Sequence, residues 1–337
     1  MSDNNKPPSR DQSYQQNGAF TRPASTFRSF ITPSPSSPFP AAAGRYALYL
    51  APTCPWAHRT LIVRHLKGLD TLIDLYPLHP HMGPEGWYFS GESGSLPVDP
   101  LYGFTHLKQL YHKAEPSFSG RYTVPVLWDK QTHTIVNNES SEIIRMFGTA
   151  FDDLLPQHLR ETNRPGGGLY PPPLRPQINQ LNEWIYDKIN NGVYKTGFAT
   201  TQEAYEANLY PLFQALDRVE EILSDGRRYL LGESLTEADV RLYTTIARFD
   251  VGYVPVFLCN LKTVRHDYPR IYLWFRRLYW DREGEETRGA FWETTSPWIG
   301  EYGLGYARAR HKIVFDLRGP LIVPRGPQVL VDPLPEE

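Results

Sequence analysis

Hydrophobic and polar positions follow two different rhythms along this chain. From Arg45 the apolar run Tyr46-Ala47-Leu48-Tyr49-Leu50 leads into a helix-like stretch from Pro55 to Lys67, and then into another apolar run at 72–78. The spacing predicts a strand over 45–51, a helix over 55–67 and a second strand. Leu107 to Lys113 carries a short helical pattern. Tyr122-Thr123-Val124-Pro125-Val126-Leu127-Trp128-Asp129 and Thr134-Ile135-Val136 read as strand, turn and strand. Asn138-Glu139-Ser140-Ser141-Glu142-Ile143-Ile144 then opens a helix, with hydroxyl cap candidates ahead of an apolar run.

The rhythm changes after Asn163-Arg164-Pro165-Gly166-Gly167-Gly168 and Pro171-Pro172-Pro173, a linker by composition. Beyond it Ile178, Leu181, Ile185 and Ile189 recur at helical steps, as do Leu209, Leu212, Leu216, Val219 and Leu223. Thr236-Glu237-Ala238-Asp239 has a hydroxyl followed three residues on by a carboxylate, which opens another helix. A further short helix starts near Pro269, and the Gly/Pro content from Trp292 onward predicts an irregular tail. The first half thus has a thioredoxin-type order of elements and the second is all-helical. The expected division is an arm over 1–44, a thioredoxin-like α/β domain over 45–160 and an all-α domain with its tail over 161–337. Residues 1 to about 26 are Ser/Gln/Asn/Pro-rich and expected to be mobile. Residues 27–45 carry Phe27, Phe30, Ile31 and Phe39 and are expected to wrap the body. The stretch 80–104 is a long Gly/Pro/aromatic loop, a length usually tied to function or mobility.

Composition narrows the function classes. A net charge of −2 gives no bulk attraction to nucleic acid or anionic membranes. No apolar window is long enough for a membrane span, and the polar N-terminus lacks the core of a secretory signal. The chain has 2 cysteines, Cys54 and Cys259, in what read as different domains. That argues against a disulfide scaffold and for a reducing compartment, with the cytosol expected. An aromatic content of 13% is compatible with aromatic-lined cavities and equally with an ordinary core.

Cys54 carries the sharpest chemistry. It stands between a strand and a helix start, beside Pro55, where unpaired amides and the helix dipole favour a thiolate. The expectation is a lowered thiol pKa and a nucleophilic role. The residue three further on is Ala57, so no neighbouring thiol can resolve a mixed disulfide, and an outside thiol must do so. This points to one-cysteine, glutathione-linked redox chemistry without a metal. Cys259, between Phe257-Leu258 and Asn260, reads as structural. Val124-Pro125 at a strand entry reads as a cis bond facing the cysteine, with Val124 offering its main chain to a peptide-like ligand; a trans edge proline is the alternative. Glu139 and Ser140 at a helix start suit the ammonium and carboxylate of a γ-glutamyl group, although Ser140 alone would pass for a cap. Trp87 and Arg121 are candidates to clamp the rest of the tripeptide, with Trp87 equally plausible as a core aromatic.

These segments together resemble the glutathione transferase superfamily, and within it the glutathionyl-hydroquinone reductases, or Xi class. The resemblance runs from about Phe27 to Pro327. It rests on Ala51-Pro52-Thr53-Cys54-Pro55-Trp56-Ala57-His58-Arg59-Thr60, the Gly86-Trp87 pair, and the strands and helix start at 123–144. It rests also on Ile189-Asn190-Asn191-Gly192-Val193-Tyr194-Lys195-Thr196-Gly197-Phe198-Ala199, Ala238-Asp239-Val240-Arg241-Leu242, Arg248-Phe249-Asp250 and Cys259-Asn260. The resemblance implies the glutathione transferase fold, a homodimer, and glutathione as co-substrate. It implies Cys54 as nucleophile and glutathione contacts from Trp87, Arg121, Val124, Pro125, Glu139 and Ser140. It implies a quinol pocket edged by Tyr194 and Tyr253; a tyrosine such as Tyr194, or water, is the expected proton donor. The family's C-terminal stretch differs from Trp298-Ile299-Gly300-Glu301-Tyr302-Gly303-Leu304-Gly305-Tyr306, where Tyr302 is the match for a third tyrosine and Tyr306 the alternative. The implied reaction reduces S-glutathionyl-hydroquinones. A broader thiol transferase or dehydroascorbate reductase, and a non-catalytic binder of aromatic compounds, are the other readings.

Overall fold

The computed structural model describes residues 15–335; the stretch before residue 15, part of the segment expected to be mobile, lies outside the described residues. The first elements are the short antiparallel strands β1 (Gln15–Gln16) and β2 (Ala19–Phe20). Asn17 and Gly18 between them have φ of 51° and 78°, the pair of left-handed residues that a tight hairpin needs. Residues up to 26 were expected to be mobile, and from 18 to 25 the structure corrects this. The Thr200 N–H donates to the Gly18 carbonyl at 3.0 Å, and Phe20 is buried with its ring 5.2 Å from Phe198. Further on, Ser29 N–H bonds the Val136 carbonyl at 3.0 Å, and Ile31 is buried, so the arm does wrap the body.

Strand β3 (Tyr46–Leu50) is buried at every position. Helix α1 (Pro55–Leu66) follows it, and β4 (Ile73–Pro77) returns parallel to β3, with Tyr46 opposite Ile73. Helix α2 (Leu107–Ala114) precedes the hairpin β5 (Val126–Asp129) and β6 (Thr134–Asn137), and α3 (Ser140–Thr149) closes the unit. The sheet order is β4-β3-β5-β6, with β5 antiparallel to both its neighbours. A central strand with no solvent face explains the unbroken apolar run of β3.

Helix α1 is the joint between the two halves. It packs on α3 and also meets helices of the second half. Nine of its twelve residues are buried, among them His58, Arg59, Thr60 and Arg64. Buried polar groups need partners, and these reach across: Arg59 bonds Asn190 Oδ1 at 2.7 Å and His58 Nε2 lies 3.0 Å from Thr294 Oγ1.

The second half comprises α4 (Arg175–Ile185), α5 (Gly192–Gly197), α6 (Gln202–Ile222) and α7 (Glu237–Arg248), then α8 (Val254–Phe257), α9 (Val264–Asp267), α10 (Pro269–Trp280), α11 (Ala290–Thr295) and α12 (Tyr302–Ile313). All twelve residues of α7 are buried. Its start is a capping box, with Asp239 Oδ2 accepting from Thr236 N–H at 3.0 Å. Wider turns at Tyr186–Asn190 and Phe249–Tyr253 interrupt the helices; such turns re-aim side chains and recur at functional sites. The irregular tail expected from Trp292 is corrected by α11 and α12 as far as Ile313, while 318–335 forms neither helix nor strand. A glycine before α8 permits close packing of α12. A Cβ on Gly252 would stand 2.7 Å from the Tyr306 ring, so α12 settles directly on the turn before α8.

Candidate active site

Cys54 is the last extended residue before α1, with φ −74° and ψ 122°. The free N–H groups of the first turn therefore face its sulfur. The side chain is partly exposed. Its Sγ lies 3.8 Å from the Val124 carbonyl, which accepts the thiol proton. The Val124–Pro125 bond is cis. Burial pushes the Cys54 thiol up, while the N–H groups of Ala57 and Trp56 and the charges of Arg248 and Arg22 pull it down; the balance lies above the ordinary thiol value. The lowered pKa expected from the helix start is thereby corrected, because desolvation outweighs the amides.

A second charge sits behind the loop. Arg248, at the end of α7, is fully buried. Its guanidinium donates to the Thr53 carbonyl at 3.1 and 3.2 Å and to the Thr244 carbonyl at 2.8 Å. Nη1 also lies 3.1 Å from His58 Nδ1. Burial, and then the Arg248 charge, hold His58 well below the ordinary imidazole value. His58 is thus neutral, with Nδ1 accepting from Arg248 and Nε2–H facing Thr294. The Thr53 hydroxyl bonds the Pro80 carbonyl. The turn carrying Cys54 is held from below by the helical half.

At the head of α3 the side chain of Glu139, not a serine, is the cap. Its carboxylate accepts from Ser141 N–H at 3.1 Å, Ser141 Oγ at 2.9 Å and Ser25 Oγ at 3.1 Å. Burial pushes Glu139 up, but these donors and the Arg59 charge outweigh it and keep the carboxyl below the ordinary value. Ser140 is the first residue of α3 and is buried. A half-buried, ionised carboxylate beside a helix start presents an acceptor for a cation and amides for an anion within one turn.

Tyr194 and Tyr253 come from α5 and the wide turn ending at Tyr253, with ring centres 6.1 Å apart. The structure brings Tyr306, not Tyr302, to these rings. The Tyr306 ring lies 4.6 Å from Tyr253 and 6.3 Å from Tyr194, and its hydroxyl is 2.7 Å from the Tyr253 hydroxyl. Tyr302, one turn earlier on α12, is fully buried under the Arg248 guanidinium, 3.9 Å from the ring centre. Burial pushes the phenols of Tyr194, Tyr253 and Tyr306 up, so each is a neutral hydroxyl that can donate a hydrogen bond. Trp56, two residues after Cys54, stacks on Tyr194 at 6.1 Å, which joins the thiol turn to the tyrosines.

Trp87 is half-buried on the long loop, its carbonyl accepting from Leu107 N–H at 2.9 Å. Arg121 is half-buried three residues ahead of Val124. Arg22, Trp56, Asn191 and Arg248 were not singled out from the sequence. Trp56, Asn191 and Arg248 lie inside motif segments, whereas Arg22 sits in a stretch whose composition reads as a tail. A cavity of about 350 Å³ lies elsewhere, between Val251, Glu301, Leu304 and Pro324, and none of the expected site residues lines it. Among the described residues no group of His, Cys, Asp or Glu could hold a metal ion, and no helix is long and apolar enough to cross a membrane.

The family model for the glutathione S-transferase N-terminal domain matches residues 53–150, and that for the C-terminal domain matches 202–277. A Schizosaccharomyces pombe protein named glutathione S-transferase omega-like 2 is 50% identical over 281 residues, 83% of this chain and 86% of its own length. Escherichia coli glutathionyl-hydroquinone reductase YqjG is 48% identical over 268 residues, 78% of this chain and 79% of its own length. The crystal structure of the Xi glutathione transferase ECM4 from Saccharomyces cerevisiae in complex with glutathione matches with a TM-score of 0.83 at 40% identity, covering 94% of this chain and 100% of that one. With both domains matched in order and this identity sustained over most of its length, the chain belongs to the glutathione transferase family, in its Xi class.

Proposed function

We propose that this protein reduces S-glutathionyl-hydroquinones to hydroquinones through a Cys54–glutathione mixed disulfide. The Cys54 thiolate attacks the sulfur of the conjugate. The carbon–sulfur bond breaks, its electron pair goes to the ring carbon, and that carbon takes a proton from a tyrosine hydroxyl or water. A second glutathione, as thiolate, then attacks the glutathionyl sulfur of the mixed disulfide, releasing oxidised glutathione and the Cys54 thiolate. Atoms balance: one conjugate and one glutathione give one hydroquinone and one disulfide.

The observation that carries the reading is the joint of one thiol to a cluster of phenols, through the stack of Trp56 on Tyr194. Neutral phenols beside that thiol suit the oxygens of a quinol and the proton its carbon needs. Glu139 and the head of α3 take the γ-glutamyl ammonium and carboxylate, and Val124 pairs its main chain with the tripeptide. Trp87, Arg121 and Pro125 line the same cleft in this reading. Tyr194, Tyr253 and Tyr306 edge the quinol pocket, with Tyr306 in the place first given to Tyr302. The homodimer is part of the proposal, and a monomeric mass in solution would remove it.

The test is a single turnover with a glutathionyl-quinol and no free glutathione. One hydroquinone per protein and a glutathionyl adduct on Cys54 are expected. Release of product with Cys54 unmodified would refute the covalent step. The omega-like name of the Schizosaccharomyces pombe relative favours a second reading, a broader thiol transferase. Faster turnover of small glutathione mixed disulfides than of glutathionyl-quinols would select it.

A further inference from the structure

The N-terminal arm crosses the site rather than passing it by. Its hairpin is fixed to the helical half through Gly18 and Phe20. A few residues on, Ser25 donates to the Glu139 carboxylate at 3.1 Å, the Phe27 carbonyl accepts from Asn138 N–H at 3.1 Å, and the Phe27 N–H donates to Asn138 Oδ1 at 3.2 Å. Arg22 lies between these two anchorages. Its guanidinium is 4.7 Å from the Trp56 ring centre and 4.8 Å from that of Tyr194, and its Nε donates to Asn191 Oδ1 at 2.9 Å. Among the described residues no carboxylate pairs with it.

We propose that Arg22, carried in on the arm, is an active-site residue: its guanidinium covers the Trp56–Tyr194 wall and supplies positive charge for the anion formed at the Cys54 sulfur. The charged and phenolic groups whose fields act on this sulfur are Arg248 from α7, Arg59 from α1, Tyr194 from α5 and Arg22 from the arm. Arg248 is spent on the carbonyls beneath the loop, and Arg59 on Asn190 and the Arg241 carbonyl. Arg22 differs from both: it is half-exposed, only its Nε is given to a side-chain acceptor, Asn191, and the segment that carries it forms neither helix nor strand. Its charge also acts on the Tyr194 phenol, lowering it against the burial that raises it. The same cation is placed to meet the phenolic oxygen of a quinol at Tyr194; that extension rests on the proposed function, whereas the action on Cys54 does not.

The experiment measures alkylation of Cys54 by iodoacetamide from pH 6 to 10, in the full-length protein and in Arg22→Met, Arg22→Lys and Ser25→Ala. Methionine keeps the apolar stem over Trp56 and removes the charge. Arg22→Met is expected to slow alkylation at pH 7 by roughly threefold to tenfold and to move its midpoint to higher pH. Arg22→Lys should restore most of the rate, and Ser25→Ala, which removes one anchor of the arm but leaves Arg22 on Asn191 and Trp56, should leave the midpoint unchanged. An identical pH profile in Arg22→Met would overturn the proposal. So would a faster reaction with an unmoved midpoint, which is what simple uncovering of the sulfur gives. No quinol is present in this assay, so its outcome is independent of whether the protein turns over glutathionyl-quinols.

Discussion

The surroundings of Cys54 and Cys259 differ in what stands against burial. Burial raises both. Around Cys259 desolvation is the cause at work: the side chain is fully buried, and among the described residues its sulfur bonds the carbonyls of Val193 and Phe257, each at 4.0 Å. Around Cys54 the first turn of α1 offers N–H groups and two arginines add charge. The difference between the two lies in the donors and cations around the sulfur, since burial raises both. Replacing each cysteine tests this at its strongest. Cys54→Ser is expected to lower reductase turnover by about three orders of magnitude, since a serine hydroxyl is not ionised at neutral pH. Cys259→Ala should leave turnover within twofold and cost about 1 kcal/mol of stability from the small cavity. Equal losses in the two variants, measured by turnover and thermal melting, would erase the distinction.

The next sharpening removes the support on one side only. Arg248 satisfies the Thr53 and Thr244 carbonyls and the His58 ring. In Arg248→Met those buried acceptors lose their donors, at about 1–3 kcal/mol for each group left unsatisfied. We expect a destabilisation of about 3 kcal/mol and a fall in turnover of at least tenfold in protein that remains folded, because both the position of the loop and a charge near the sulfur are lost. A variant that melts early yet turns over normally would make Arg248 a purely structural residue.

Much of this contrast was readable in the chain. The unbroken apolar run of β3, Pro55 at the helix start and the absence of a second thiol at Ala57 are local features, and local features survive in sequence. Strands, helix starts and the cap of α7 follow from the same kind of evidence. The rest depends on what the fold brings together. Arg22 lies in a polar, proline-containing segment whose order comes from Phe198, Asn191 and Glu139, far along the chain. Tyr302 and Tyr306 are one helical turn apart, and only the packing of α12 against Gly252 decides which meets Tyr253. The sign of the Cys54 shift is likewise a matter of tertiary burial, which a helix start alone does not report.

The two tyrosines provide the next comparison. Tyr306→Phe removes the hydroxyl that bonds Tyr253 and is expected to lower turnover of glutathionyl-quinols about tenfold, as loss of a pocket hydroxyl and proton relay does. Tyr302→Phe keeps the ring under Arg248 and should change turnover by less than twofold. The opposite ranking would return Tyr302 to the pocket.

The smallest expected effect bears directly on the sulfur. Only the thiolate attacks, and burial places the Cys54 pKa above the ordinary thiol value. The thiolate is therefore a minor form at neutral pH, and its fraction grows as pH rises toward that pKa. The single-turnover rate, measured without free glutathione so that no other thiol titrates, should climb severalfold from pH 7 to pH 8 and continue upward. A rate that is flat from pH 6 to 8 would mean that the sulfur is already ionised. The amides of Ala57 and Trp56, with Arg248 and Arg22, would then outweigh desolvation, and the contrast with Cys259 would be wider than the burial of Cys54 implies.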